Sequence, residues 1–136
     1  DIYNGSYTSY TRELTAVGNT LYFRASDGPN GNELWKSDGT SSGTVMVKDI
    51  YNGSYGSSPY ELIAVGNTLY FSASDATNGM ELWKSDGTEA GTVMVKDINI
   101  GSDSSSLDYL TAVGNTLYFR ANDGNFGDEL GIYDPN

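Results

Sequence analysis

Self-similarity at a fixed interval constrains this chain more than any other property. Glu33-Leu34-Trp35-Lys36-Ser37-Asp38-Gly39-Thr40 returns letter for letter at Glu81–Thr88. A worn copy, Glu129-Leu130-Gly131-Ile132-Tyr133-Asp134, follows, and the step from Glu81 to Glu129 equals the step from Glu33 to Glu81. The rest of the sequence keeps time with it, and residues 1–48 match residues 49–96 at 37 positions. A chain built this way folds as repeated supersecondary blocks, each burying its apolar faces against its neighbours. The units are 1–48, 49–96 and an incomplete third, 97–136.

Within a unit the pattern is that of short strands. Ala-Val-Gly-Asn-Thr-Leu-Tyr-Phe stands at Ala16–Phe23, Ala64–Phe71 and Ala112–Phe119. Gly-Asn between two apolar runs is a two-residue hairpin signal, because both residues tolerate positive φ. Strands are expected at Glu13–Val17, Thr20–Ser26, Asn32–Ser37 and Thr44–Lys48. In the second unit they are expected at Glu61–Val65, Thr68–Ser74, Met80–Ser85 and Thr92–Lys96. No segment sustains a 3.6-residue period, so helices are not expected. Four short antiparallel strands in a unit of this length is the arithmetic of a β-propeller blade. The fold class expected is all-β, a propeller segment of three blades.

The repeated Glu-Leu-Trp-Lys-Ser-Asp-Gly-Thr-x-x-Gly-Thr, complete at Glu33–Thr44 and Glu81–Thr92, resembles the tandem ELWxxDGT repeats of bacterial secreted and surface proteins. The resemblance covers essentially the whole chain. It implies a β-propeller array without a characteristic enzymatic activity, placed outside the cell or on its surface. The third copy departs from the pattern. Trp gives way to Gly131, Gly to Pro135, and the equivalents of residues 41–48 are absent, so the third blade is expected to lack its outer strand.

Closed propellers hold roughly four to eight blades, and three are present. Three arrangements answer that shortfall: a homodimer closing a six-bladed ring, continuation in a longer chain, or an open array stacked end to end. The unpaired edge of the third blade is also a place for strand addition by a partner.

Charge narrows the partners. The formal net charge is −11, which repels phosphate backbones and speaks against nucleic acid. No apolar run is long enough to insert in a membrane as a helix. Histidine and cysteine are absent, which removes imidazole bases, thiolate nucleophiles and the usual zinc ligand sets. The chain begins at Asp1 rather than Met, the look of a processed or excised chain. Paired carboxylates, as in a glycosidase, are the one catalytic option left. Every acid singled out recurs in register or sits in a turn, so no catalytic residue is assigned.

Two non-catalytic sites follow from the loops. The blade-to-blade connections and the loops between second and third strands share one face and vary between units, as binding loops on a repeated frame do. On that face lie Tyr3, Tyr7, Tyr51, Tyr55, Asp27, Asp75 and Asp123, a set able to stack on and hydrogen-bond a glycan. The bland alternative has these tyrosines packing on blade edges. Asp27 with Glu33, Asp75 with Glu81 and Asp123 with Glu129 offer oxygen ligands for calcium. Against that stands a reading of the Asp as turn former and the Glu as strand-end acceptor. Trp35 and Trp83 are expected to pack between blades, and Lys36, Lys48, Lys84 and Lys96 to sit in solvent.

Overall fold

The computed structural model describes all 136 residues. It holds eleven strands and no helix: β1 (Arg12–Val17), β2 (Thr20–Ser26), β3 (Asn32–Ser37), β4 (Val45–Lys48), β5 (Tyr60–Val65), β6 (Thr68–Ser74), β7 (Met80–Ser85), β8 (Val93–Lys96), β9 (Asp108–Val113), β10 (Thr116–Asn122) and β11 (Asp128–Tyr133). They form three antiparallel sheets, β1-β2-β3-β4, β5-β6-β7-β8 and β9-β10-β11, each a simple meander. The third sheet stops at three strands, as the missing outer-strand sequence predicts. No helix is present that is long and apolar enough to cross a membrane.

The hairpin turns fold as their sequence requires. Gly18, Gly66 and Gly114 all take positive φ, near 60°, and each sits between the first two strands of its sheet. The first strand of every sheet carries a bulge. Pairing jumps from Arg12 to Thr15 and from Tyr60 to Ile63. At those bulges Glu13, Glu61 and Tyr109 take positive φ (59°, 56° and 57°), a conformation costly for residues with a Cβ. A bulge re-aims a side chain. Here it turns the Glu13 carboxylate to accept the Glu61 amide at 3.0 Å, and the Glu61 carboxylate to accept the Leu110 amide at 2.9 Å. Each of these first strands thereby holds the next.

Burial between sheets uses one pairing twice. Val17, Tyr22, Leu34 and Val47 of the first sheet pack on Leu69, Phe71, Ala73 and Trp83 of the second. Val65, Tyr70 and Leu82 of the second pack on Leu117, Phe119 and Ala121 of the third. Residues one repeat apart thus play the same part at successive joints. The middle sheet is covered on both faces, which accounts for its nearly continuous burial in β6. Trp83 lies in the joint, the packing role expected for it, and Trp35 packs with Phe23, Ala25 and Ile2 on the first sheet's other face.

Two of the four lysines depart from expectation, while Lys96 is exposed as expected. Lys36 Nζ donates to the Gly87 carbonyl at 2.6 Å, and Lys48 Nζ to the Thr92 carbonyl at 3.0 Å. Both tie the first sheet to the turn of the second rather than standing free in water. An ammonium on a long stem reaches a neighbouring sheet's carbonyl while its methylenes cover apolar surface, a role that strand alternation alone does not reveal.

Candidate functional site

The octapeptide does two separate jobs in the structure. Its Ser-Asp-Gly-Thr half is a closed hydrogen-bond circuit. Asp38 Oδ1 accepts from the Thr40 amide (2.9 Å) and the Thr40 hydroxyl (2.7 Å). Thr40 Oγ1 accepts from Gly43 N at 2.9 Å, and the Thr44 hydroxyl donates to the Thr40 carbonyl at 2.7 Å. Ser37 and Thr44 close the ring at 2.7 Å. Residues Ser85–Thr92 repeat the same bonds. The Thr40 and Thr88 hydroxyls and amides hold the Asp38 and Asp86 carboxyls below the usual aspartate range. A Cβ at Gly43 or Gly91 would run into the aspartate, so the second glycine of the motif is required by the turn itself.

The Glu at the head of the motif performs the other job. Glu33 has no exposed surface. Its Oε1 accepts from the amides of Tyr51 (3.0 Å) and Ser57 (2.8 Å). Its Oε2 accepts from the Ile50 amide (3.2 Å) and the Ser57 hydroxyl. All four donors belong to the segment linking the first sheet to the second. Glu81, equally buried, accepts from the amides of Ile98 (2.8 Å), Asn99 (3.4 Å) and Ser105 (3.1 Å) in the next link. Burial pushes the Glu33 carboxyl up to about 7, against the pull of its four donors. Burial likewise raises Glu81, with the Asp97 carboxylate adding to the rise. Each link is pinned at its far end as well. Ser57 O accepts the Ser74 amide (3.0 Å) and Ser105 O accepts the Asn122 amide (2.6 Å).

The oxygen atoms considered for calcium are therefore differently placed. The Glu33 and Glu81 carboxylates are occupied by these donors, on Ser57 and Ser105 among others. Asp27 and Asp75 each accept the amide three residues on and the Asn30 or Asn78 side-chain NH₂. Asp123 accepts the amides of Asn125 and Phe126. Glu129 is exposed. No group of three or more acidic side chains converges in a way that holds a metal ion. The turn-former and strand-end readings describe these bonds. The signal available in the sequence was a Glu directly preceding Leu-Trp in two units and an Ile at one fixed distance after it, Ile50 for Glu33 and Ile98 for Glu81.

The tyrosines form pairs. Tyr3 and Tyr7 have ring centroids 5.4 Å apart, and Tyr51 and Tyr55 6.1 Å apart. Tyr7 and Tyr55 stand in solvent. Tyr3 lies against Gly28, where any Cβ would strike its ring. Tyr3, Asp27, Pro29 and Trp35 line one open hollow with Ile2 and Asn4. The structure thus brings Tyr3 and Asp27 together.

A second recess follows from the loss of Trp. At Gly131 the Phe119 ring lies where a Cβ would stand, and Tyr133 packs on Tyr70 with centroids 5.8 Å apart. A cleft of about 200 Å³ remains beside them, lined by Leu82, Ile98, Phe119, Gly131 and Tyr133 among others.

No family model matches the chain, and no match was found among curated proteins or solved structures.

Proposed function

We propose that this chain is a non-catalytic β-propeller repeat module, similar to the ELWxxDGT repeats, that serves a secreted or cell-surface protein by associating with itself. One observation carries the reading: the pairing used at both internal joints is left half-made at each end. Leu34 and Leu82 are 0% and 1% exposed, whereas their counterpart Leu130 is 70% exposed. Val17 and Val65 are 8% and 7% exposed, and Val113 is 61%. On the opposite end Leu14 is 62% exposed where Leu110 is 8%. Large apolar side chains exposed at positions that are buried elsewhere in the repeat are what association surfaces offer. Three sheets per chain and roughly four to eight in a closed propeller make two copies, or a longer run of units, the natural completion. The buried Glu33 and Glu81 carboxylates are taken up by the amides of the links between sheets, which supports a structural, non-catalytic role for them.

Mass in solution tests the reading. Light scattering on the folded chain should return about twice 14.6 kDa or a larger multiple. A well-folded monomer at all concentrations would overturn it.

A second reading, carbohydrate binding, is favoured by the hollow that joins Tyr3 to Asp27. A flat ring beside a carboxylate is how a protein stacks on a sugar and hydrogen-bonds its hydroxyls. A glycan array should then give hits that disappear on Tyr3→Ala or Tyr51→Ala. An array blank for the unaltered chain removes this reading and leaves self-association intact.

A further inference from the structure

We infer that Glu129 is the receptor of a head-to-tail joint and that its occupant is the Ile2–Ser9 segment of a second copy of this chain. The inference rests on the self-association proposed above and names its site.

The two internal joints define the lock. Glu33 takes the amides of Ile50, Tyr51 and Ser57, and Glu81 takes those of Ile98, Asn99 and Ser105. Glu129 is the third residue of this series, placed at the start of β11 with Ala121 as its cross-strand partner. Glu33 and Glu81 have the same partners in their sheets, Ala25 and Ala73. Yet Glu129 is exposed and accepts no hydrogen bond from a linking segment. Stepping back one full repeat from Ile50, Tyr51 and Ser57 gives the key: Ile2, Tyr3 and Ser9.

That key is already cut. Ser9 O accepts the Ser26 amide at 2.8 Å, the bond that Ser57 makes to Ser74 and Ser105 to Asn122. Ser58, Ser106 and Tyr10 follow at matching positions with φ of 48°, 51° and 49°. The Ser9-Tyr10 end of the segment therefore holds in the free chain the backbone conformation of the docked links, with the Ser9 hydroxyl turned to Thr11, while the amides of Ile2, Tyr3 and Ser9 meet no carboxylate. The part already in place loses little conformational freedom on docking.

Apolar residues lie beside both lock and key. The third sheet presents Val113, Tyr118 and Leu130, counterparts of the Val17, Tyr22 and Leu34 that cover the second sheet. The first sheet's counterparts of the covered Leu69, Phe71, Ala73 and Trp83 are Leu21, Phe23, Ala25 and Trp35; they pack with Ile2, and Phe23, Ala25 and Trp35 are at most 9% exposed, while Leu14, 62% exposed, is an apolar residue this end leaves open. The joint is not a perfect copy. Ile132 stands where Lys36 reaches across, and Tyr109 where Glu13 and Glu61 accept the next strand's amide. Both changes make the surface more apolar, and Ile132 and Tyr109 are 61% and 68% exposed. The joint is heterologous, so it repeats until it closes into a ring or continues as a chain.

The test is sedimentation equilibrium of the full chain with Glu129→Gln, Glu129→Ala, Ser9→Ala and the exposed control Glu89→Gln. Because Glu129 is exposed, its variants should keep the unfolding midpoint of the dilute chain. The joint predicts dissociation constants raised about tenfold or more by either Glu129 variant and severalfold by Ser9→Ala. It also predicts that Glu129→Ala with Ser9→Ala weakens association less than the product of the two, and that Glu89→Gln changes nothing. Association that ignores Glu129, or strict additivity of the pair, overturns this joint and leaves self-association standing. A monomeric unaltered chain overturns both.

Discussion

Ser57 gives both its amide and its hydroxyl to Glu33, a residue 24 positions earlier in the chain and on the preceding sheet. A buried carboxylate with four donors is strongly bound to them, and its removal leaves those donors without water or partner. Glu33→Gln keeps the shape but turns an NH₂ toward donors on one side. It should cost about 2–4 kcal/mol, and Ser57→Ala about 1–3 kcal/mol. Denaturant unfolding measures both, and their coupling in the double variant should be at least about 0.5 kcal/mol. Additive losses would mean that the two groups do not act on each other.

The same carboxyl makes stability depend on pH in an unusual direction. Its value of about 7 in the fold lies above its ordinary 4.5, so the native state binds more protons than the unfolded chain between those limits. Stability from this group is full below about 4.5 and is lost as pH rises through 7. Ser57 suits the protonated state, since a hydroxyl can accept the acid proton as readily as it donates to the anion. Glu81, also raised, pulls the same way. Asp75, lowered by its bonds to Thr77 and Asn78 against the opposing effect of burial, sets a decline at more acid pH. The chain should melt higher at about pH 5 than at about pH 8, by several degrees, and Glu33→Gln should shrink the difference. A melting temperature that is flat or rises across that window contradicts the burial of an acid here.

Lys36 and Lys84 occupy the same place in successive copies, and only Lys36 meets a carbonyl. Lys36→Met retains the stem and removes the bond to Gly87, at a cost of about 1 kcal/mol. Lys84→Met should change stability by less than about 0.5 kcal/mol, because its ammonium meets no carbonyl of the third sheet. Equal effects at both positions would show that the stem, not the ammonium, is what the joint uses.

Much of this was legible in the sequence. The hairpins β1–β2 and β5–β6 follow from Gly-Asn flanked by apolar runs, a signal that is local and complete. The missing strand of the third sheet follows from simple phase. Lys36 and Glu33 were harder, for one shared reason. Each makes its bonds to a residue 17 to 51 positions away, and what fixes such a partner is the stacking of one sheet on the next. A Glu at a strand's edge looks the same whether it faces water, a metal or three backbone amides. Only the link's return path across Asn32, where Ser58 N donates at 2.9 Å, decides among them. The Tyr3–Asp27 hollow was within reach because both residues lie on loops that an up-and-down meander places on one side.

Gly131 allows a sharp test of how the third sheet compensates for its lost Trp. Glycine inside a strand ordinarily weakens it, and replacement by alanine ordinarily gains about 0.5–1 kcal/mol. Here the Phe119 ring lies over the glycine, in the place a Cβ would fill. Phe119 is 7% exposed and joins the second sheet to the third through Tyr70 and Leu82. Alanine would force the ring off that seat and into the neighbouring cleft. Gly131→Ala should therefore destabilise, by about 1–3 kcal/mol. In a Phe119→Ala background the obstruction is gone and the sign should reverse, with alanine neutral or mildly stabilising. If Gly131→Ala stabilises the unaltered chain, the ring is not bound to the glycine, and the joint must draw its stability from Tyr133 on Tyr70 instead.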